Sequence, residues 1–490
     1  MAHPIRVLRR SAALAAAACL LAAAPAGAHG APRAAVPHVA RDGGRAYIAD
    51  EHGRELLLRG VNANSLVEYP DYFQQTVPLT RADFREMAAL GFNFLRLPIN
   101  WSRLEPVAGT YSRAYLKEIH RIVGWAESEG MRVLVDFHQD RYNRNLRPGD
   151  EADGAPDWAT FTDGQPCQPS SFTSPCSRAA YDNFWTNRVV DGKPLQQRYL
   201  EAMLAVSRYL RSDHRLLGLE LMNEPTFGST APPAFERQQL WPFYRRMIAG
   251  LRADGERRMI WFDPNILRDV LDFDTGQPER FSADPDLVYG PHVYTGTFNG
   301  GGEPEMRASY AAAEREAKAY DAPWVDGEWG GGSDPKAEAL RDTKLSLQDS
   351  YRVGGAFWMW KQRPGFYNWQ VVGTDGALRS DSLRAQQLSR PHVDAVPGRL
   401  ASTSYSGGVL RARVEGGGGI ARIWSGTVVQ RGGQTLLDRP LVRLTIDGRP
   451  VPAWRVLRAF ATAEVSLRGY DVSFWIPRGA HDVEVRPAGP

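Results

Sequence analysis

Eight short apolar runs occur between Leu56 and Trp358 of this 490-residue chain, and helical patterns separate most of them. The runs are Leu56–Val61, Phe92–Leu97, Val133–Phe137, Leu217–Met222, Met259–Phe262, Leu287–Tyr289, Trp324–Val325 and Gly355–Trp358. They lack strict alternation, as strands covered on both faces do. Thr80 to Leu90 opens with a capping-box-like Thr80 and Asp83, and Gly91 follows as a stop. Residues 112–129 place Leu116, Ile119, Val123 and Ala126 on one stripe. Residues 195–210, 234–252, 304–319 and 335–350 also read as helices, and Ile266–Leu271 as a short one. This alternation predicts an α/β fold, a (β/α)₈ TIM barrel over residues 40–392. An open doubly wound sheet is the rival, but no G-x-G-x-x-G follows the first run.

Beyond residue 395 the texture changes. Leu410–Val414, Leu441–Ile446, Val472–Ile476 and Val483–Val485 are short strand-like runs divided by turns such as Asp447-Gly448. They predict a C-terminal all-β sandwich over 396–490. At the other end, Arg6, Arg9 and Arg10 precede the apolar stretch Ala12–Ala24 and the small residues Ala26-Gly27-Ala28. A secretory signal peptide over 1–28 is expected, and hence a secreted protein; a lipoprotein anchored through Cys19 is the alternative. Without those three arginines, Lys+Arg equals the 56 Asp+Glu. The mature chain is then near neutral and has no basic run, which argues against a nucleic-acid partner. Cys167 and Cys176 sit in a long Pro/Ser-rich loop, 143–183. In an exported chain a disulfide is expected, with two buried thiols as the alternative.

Active sites of barrels of this kind form where strands end. Here the first strand end carries Asn62 and Asn64, the second Arg96 and Asn100, and the third His138, Gln139 and Asp140. Leu221-Met222-Asn223-Glu224-Pro225 ends the fourth; His292 and Tyr294 end the sixth, Glu328 the seventh, and Trp358 and Trp360 the eighth. Two glutamates on separate strand ends suit a retaining glycosidase, which uses one carboxylic acid and one carboxylate nucleophile about 5 Å apart. Each residue also has a structural reading: Arg96 as an ion pair, His138 as a core histidine, Asn223 as a turn cap, the tryptophans as core. No metal motif is found by spacing, and no metal or organic cofactor is expected.

The ordered set Arg96, His138, Asn223-Glu224-Pro225, His292-x-Tyr294, Glu328 and Trp358 or Trp360 resembles glycoside hydrolase family 5. Asp136-Phe137-His138-Gln139-Asp140 is similar to its endoglycoceramidase (endoglycosylceramidase) subfamily, with Phe137 where Met is typical. The resemblance implies cleavage of the β-glycosidic bond between a glycan and ceramide. It assigns Glu224 as general acid/base and Glu328 as nucleophile, with Arg96, His138, Asp140, Asn223, His292, Tyr294, Trp358 and Trp360 around the sugar. It further implies a glycosphingolipid substrate met at a membrane or micelle surface, with Phe227, Phe298 and Phe366-Tyr367 as candidate walls for the lipid. A monomer is expected. A secreted endo-β-1,4-glucanase or mannanase is the alternative enzyme, and a non-catalytic carbohydrate-binding barrel the alternative class.

Overall fold

The computed structural model describes residues 36–69, 76–146, 154–167, 174–273, 278–332, 334–363, 369–372, 383–431, 434–438, 442–451 and 471–487. The expected signal peptide, Cys19 and Phe366-Tyr367 lie outside these residues, as do parts of loop 143–183.

Eight parallel strands form the central sheet: β1 (Arg59–Asn62), β2 (Phe94–Ile99), β3 (Arg132–Phe137), β4 (Leu216–Glu220), β5 (Met259–Phe262), β6 (Leu287–Tyr289), β7 (Val325–Trp329) and β8 (Gly354–Phe357). Their order is β6-β5-β4-β3-β2-β1-β8-β7. A parallel bridge from Tyr289 to Trp324 brings the two ends together. Backbone hydrogen bonds from Gly327 to Pro291 (3.0 Å) and from Val293 to Glu328 (3.1 Å) continue the closure. The fold is therefore a TIM-type barrel, as the alternation predicts. Helices Arg81–Ala89, Arg113–Ser128, Leu195–Tyr209, Trp241–Ala253, Ile266–Leu271, Glu303–Tyr320, Pro335–Tyr351 and Leu383–Leu388 follow the strands in turn. The stripe Ile119, Val123 and Ala126 is fully buried against the sheet.

Alternation along the strands places the site. Phe94, Leu134, Trp261, Val288 and Ala356 belong to one apolar cluster, and the Phe94 and Trp261 rings stack at 6.0 Å. Two residues further along three of these strands come Arg96, Asp136 and Asp263. The side-chain period of two thus carries one face from an apolar floor to a charged rim.

Among the described residues, two larger antiparallel sheets and the two-stranded ladder of Thr427–Arg431 with Gln434–Asp438 lie beyond the barrel. One contains His392–Pro397, Gly419–Trp424 and Asp471–Ile476; the other Arg399–Ser406, Val409–Gly416, Val442–Ile446, Arg449–Pro450 and Gly479–Pro487. Val393, Leu400, Val414, Ile423, Phe474 and Val485 form their shared core. One expectation is corrected here. Residues 40–56 do not begin the barrel: His38–Asp42, Arg45–Ala49 and Arg54–Leu56 complete the first of these sheets. Leu56 pairs with Ala395 and Glu55 with Val396. The Glu55 carboxylate also accepts the Leu400 N–H at 2.7 Å. A partner so remote in sequence leaves no trace in the local pattern. Among the described residues no helix is long and apolar enough to cross a membrane.

Candidate active site

Arg96, on β2, is wholly buried and organises the rim. Its Nε and Nη2 donate to Glu220 at 2.8 and 2.6 Å. Nη2 also donates to Asn223 Oδ1 at 2.8 Å and lies 3.0 Å from Asp136. Nη1 donates to Asn62 Oδ1 at 3.0 Å and to Glu328. A guanidinium in a low-dielectric interior needs such carboxylates, and its planar fork fixes their positions.

Glu224 follows β4 with φ of 40°, a left-handed backbone that is uncommon for a side-chain-bearing residue. Its surroundings hold that conformation. The Asp263 carboxylate accepts the Glu224 N–H at 3.2 Å, and Gln139 Nε2 donates to the carbonyls of Asn223 (2.9 Å) and Glu224 (3.0 Å). The hydroxyl of Tyr181 in turn donates to Gln139 at 2.9 Å. The Glu224 carboxyl meets His292 Nδ1 at 2.9 Å. The other nitrogen of His292 faces Asp263 at 3.4 Å, and its backbone N–H donates to Asp269 at 2.8 Å.

Glu328, on β7, receives Arg96 on one oxygen and the Tyr294 hydroxyl on the other at 2.9 Å. Oxygens of Glu224 and Glu328 lie within 4.8 Å of one another. Burial raises both carboxyl pKa values, but unequally. Glu224 has the Glu328 charge as its next influence and rises well above the carboxylate range. Glu328 is pulled back by Arg96 and then His138, and settles at about 7. Burial, with Arg96 and His138 beside it, drives His292 far below its usual value, so the imidazole is neutral. The arrangement supplies one carboxyl that keeps its proton and one that ionises more readily.

The other expected residues divide. His138 is buried, 2.7 Å from Asp136 and 3.3 Å from the half-buried Asp140. Trp358 is half-buried and lies nearly parallel to the His138 ring at 5.6 Å. Asn223 is fully buried; its Nδ2 donates to the Gln139 carbonyl at 2.9 Å and faces Asp140 at 3.5 Å. Trp360 is not in the cleft. It is fully buried, donates to Asp83 at 3.0 Å and packs edge-on against Phe92. Trp358 and Trp360 lie past the end of β8 at Phe357, so strand alternation does not hold them on one face. Phe298 is exposed and packs on Tyr294 and Trp369, while Phe227 packs on Phe235. Cys167 and Cys176 form the expected disulfide.

Asp136, Glu220 and Asp263 were not anticipated as site residues. Their signal is a single acid at or beside the end of an otherwise apolar strand. Among the described residues, three groupings of side chains are close enough to share a cation: Asp136, His138 and Glu328; Glu220, Asp263 and His292; and Glu224, His292 and Glu328. Each contains a carboxylate already paired with Arg96, so the guanidinium supplies positive charge to all three.

This geometry has counterparts. A family model described as cellulase (glycosyl hydrolase family 5) matches residues 49–364. The chain belongs to glycosyl hydrolase family 5. As a family 5 member it is a glycosidase. Endoglycoceramidase I of Rhodococcus hoagii (strain 103S) is 25% identical over 344 residues, 64% of this chain and 66% of that protein, so the match spans just under two thirds of that relative. A solved endogalactoceramidase is 26% identical, with a TM-score of 0.75 over 92% of this chain and 100% of that one. Endo-glycoceramidase II from Rhodococcus sp., solved as a lactosyl-enzyme intermediate, is 25% identical, with a TM-score of 0.73 over 90% of this chain and 100% of that one.

Proposed function

We propose that this family 5 member is a secreted endoglycoceramidase. It cleaves the β-glycosidic bond between glycan and ceramide by double displacement. The observation that carries the reading is the pair of carboxyl groups, within 4.8 Å, on the ends of β4 and β7. Retaining enzymes hold their two carboxyls about 5–5.5 Å apart, and inverting enzymes leave room for a water between them. Glu328, ionised beside Arg96 and Tyr294, attacks the anomeric carbon. Glu224 protonates the ceramide oxygen as it leaves. Water then enters, Glu224 takes its proton, and the glycosyl-enzyme is hydrolysed.

Asn223 Nδ2, next to Asp140, is placed to hold the sugar 2-hydroxyl, and His138 and Asp140 the neighbouring hydroxyls. Trp358 offers the ring face. Phe298, exposed and packed on Tyr294 and Trp369, is an apolar surface for the lipid, where each buried CH₂ contributes about 0.8 kcal/mol. Relatives named for ceramide glycosides favour this substrate over glucan or mannan. Export fits the disulfide and the N-terminal residues. The test is a screen of ganglioside, neutral glycosphingolipid, galactosylceramide and cellulosic substrates in detergent. Release of ceramide from a glycolipid is expected; reducing ends from soluble glucan with no ceramide release would assign the chain to the glucanase side of the family.

A further inference from the structure

His292 and Tyr294 each hold one of the two glutamates, and the residue between them is gripped by a pair of buried charges. The Val293 N–H is shared by the Glu328 carbonyl and Asp326 Oδ1, both at 3.1 Å. The Val293 carbonyl accepts from the Lys344 ammonium. Asp326 lies on β7, two residues before Glu328, and Lys344 on the helix Pro335–Tyr351. Both side chains are buried, with their charged ends 3.9 Å apart. Asp326 also accepts the Tyr310 hydroxyl at 2.8 Å, from the helix Glu303–Tyr320. Asp272 is a further charge acting on both.

Stability does not account for such a pair. A buried ion pair is often no more stabilising than apolar residues of the same volume. What apolar residues lack is a donor and an acceptor for a peptide group. Lys344 also meets the chain neighbour of each partner in the Tyr294–Glu328 hydrogen bond. The Val293 carbonyl belongs to the peptide that leads into Tyr294, and the ammonium stands 5.6 Å from the ring of Trp329, next after Glu328. The Tyr294 hydroxyl donates to Glu328 at 2.9 Å, and such a bond weakens steeply as its angle closes. The orientation of the Val293–Tyr294 peptide therefore bears on how well Glu328 is held. Among the described residues Lys344 and Asp326 make no hydrogen bond to either glutamate; they reach the site through this peptide.

We infer that Lys344 and Asp326 are positioning residues of the glycosidase reaction, fixing the Val293–Tyr294 peptide so that the Tyr294 hydroxyl stays on Glu328. The inference rests on the roles proposed above for the two glutamates, and not on ceramide as the leaving group.

An aryl β-cellobioside reads kcat/KM on the first chemical step, whichever aglycone the natural substrate carries. The variant is Asp326→Asn/Lys344→Met, made in the wild type and in a Tyr294→Phe background. It removes both charges together, so no lone ion is left buried. Asparagine keeps an acceptor for the Val293 N–H, and methionine removes the donor to its carbonyl. Burial raises the Asp326 carboxyl to about 7, in the range of Glu328, and the asparagine removes that overlap. In the wild-type background the acid limb should move to higher pH by about one unit, the scale of one hydrogen bond to a charged group. In the Tyr294→Phe background the limb should move no further, because the hydroxyl being aimed is gone. A direct effect of the two charges on Glu328, or a general loosening of the fold, would act in both backgrounds. Equal shifts in both, or a lowered Tm with the limb unmoved, would overturn the inference. Lys344→Met alone, taken through the same cycle, gives the same reading should the double variant fail to fold. Tyr294→Phe by itself separates the two levels. If it moves the limb and the Asp326/Lys344 variant does not, this inference fails alone. If it leaves the limb in place, the roles assigned to Tyr294 and Glu328 fail and take the inference with them.

Discussion

His292 stands between the two glutamates: its Nδ1 lies 2.9 Å from Glu224 and 3.8 Å from Glu328. The imidazole is neutral and fully buried, so it orients Glu224 without adding charge. His292→Ala should lower kcat about 10²-fold, the scale of general-acid catalysis. The loss should be smaller on aryl glycosides whose leaving groups need no proton. Equal losses on good and poor leaving groups would remove the positioning role.

The acid limb of the pH–rate profile follows Glu328, which must be ionised to attack. With its pKa raised to about 7 by burial, kcat/KM should fall as pH drops below about 7. Tyr294 donates to the ionised form, so Tyr294→Phe should move that limb to higher pH. Stability runs the other way. The folded pKa exceeds the unfolded value of 4.5, so this carboxyl favours folding at low pH, and the contribution is lost as pH rises towards about 7. Glu328→Gln should therefore flatten the pH dependence of stability across that window, as measured by urea unfolding.

Arg96 compensates Asp136, Glu220 and Glu328 at once. Arg96→Met should cost about 3–5 kcal/mol of unfolding free energy at neutral pH, the penalty for leaving buried charges unpaired. The loss should shrink at acid pH, where Glu220, already raised by burial, takes up a proton. Urea denaturation at two pH values reads both effects.

Much of this was legible in the sequence, and the reasons differ by residue. The barrel strands were visible because apolar runs and helical stripes are local patterns. Glu224 and Glu328 stood out because each lies at or just past the end of an apolar run, with an amide or tryptophan neighbour. Asp136, Glu220 and Asp263 did not stand out as site residues. Their roles depend on Arg96 and His292, which the barrel brings to them from other strands. Trp360 turns into the core towards Asp83 because it lies past the end of β8, where strand periodicity no longer sets the face. The N-terminal strands were counted with the barrel because their partner, His392–Pro397, lies at the far end of the chain.

The Cys167–Cys176 bridge is tied to the start of the helix Pro175–Trp185, where Cys176 is buried. That helix carries Tyr181, which holds Gln139, which holds the Asn223 and Glu224 carbonyls. Replacing both cysteines with alanine should cost about 2–3 kcal/mol, as expected for a short closed loop. It should also reduce kcat several-fold (roughly 1 kcal/mol of barrel-side positioning). Calorimetry and steady-state kinetics on the double variant check the two parts separately.

The stereochemistry of the first-formed product tests the two-glutamate mechanism most directly. Proton NMR of the sugar released in the first minutes, before mutarotation, distinguishes the anomers. Double displacement through Glu328 predicts the β-anomer first. An α-anomer appearing first would mean a single displacement by water and would contradict the nucleophile assigned here.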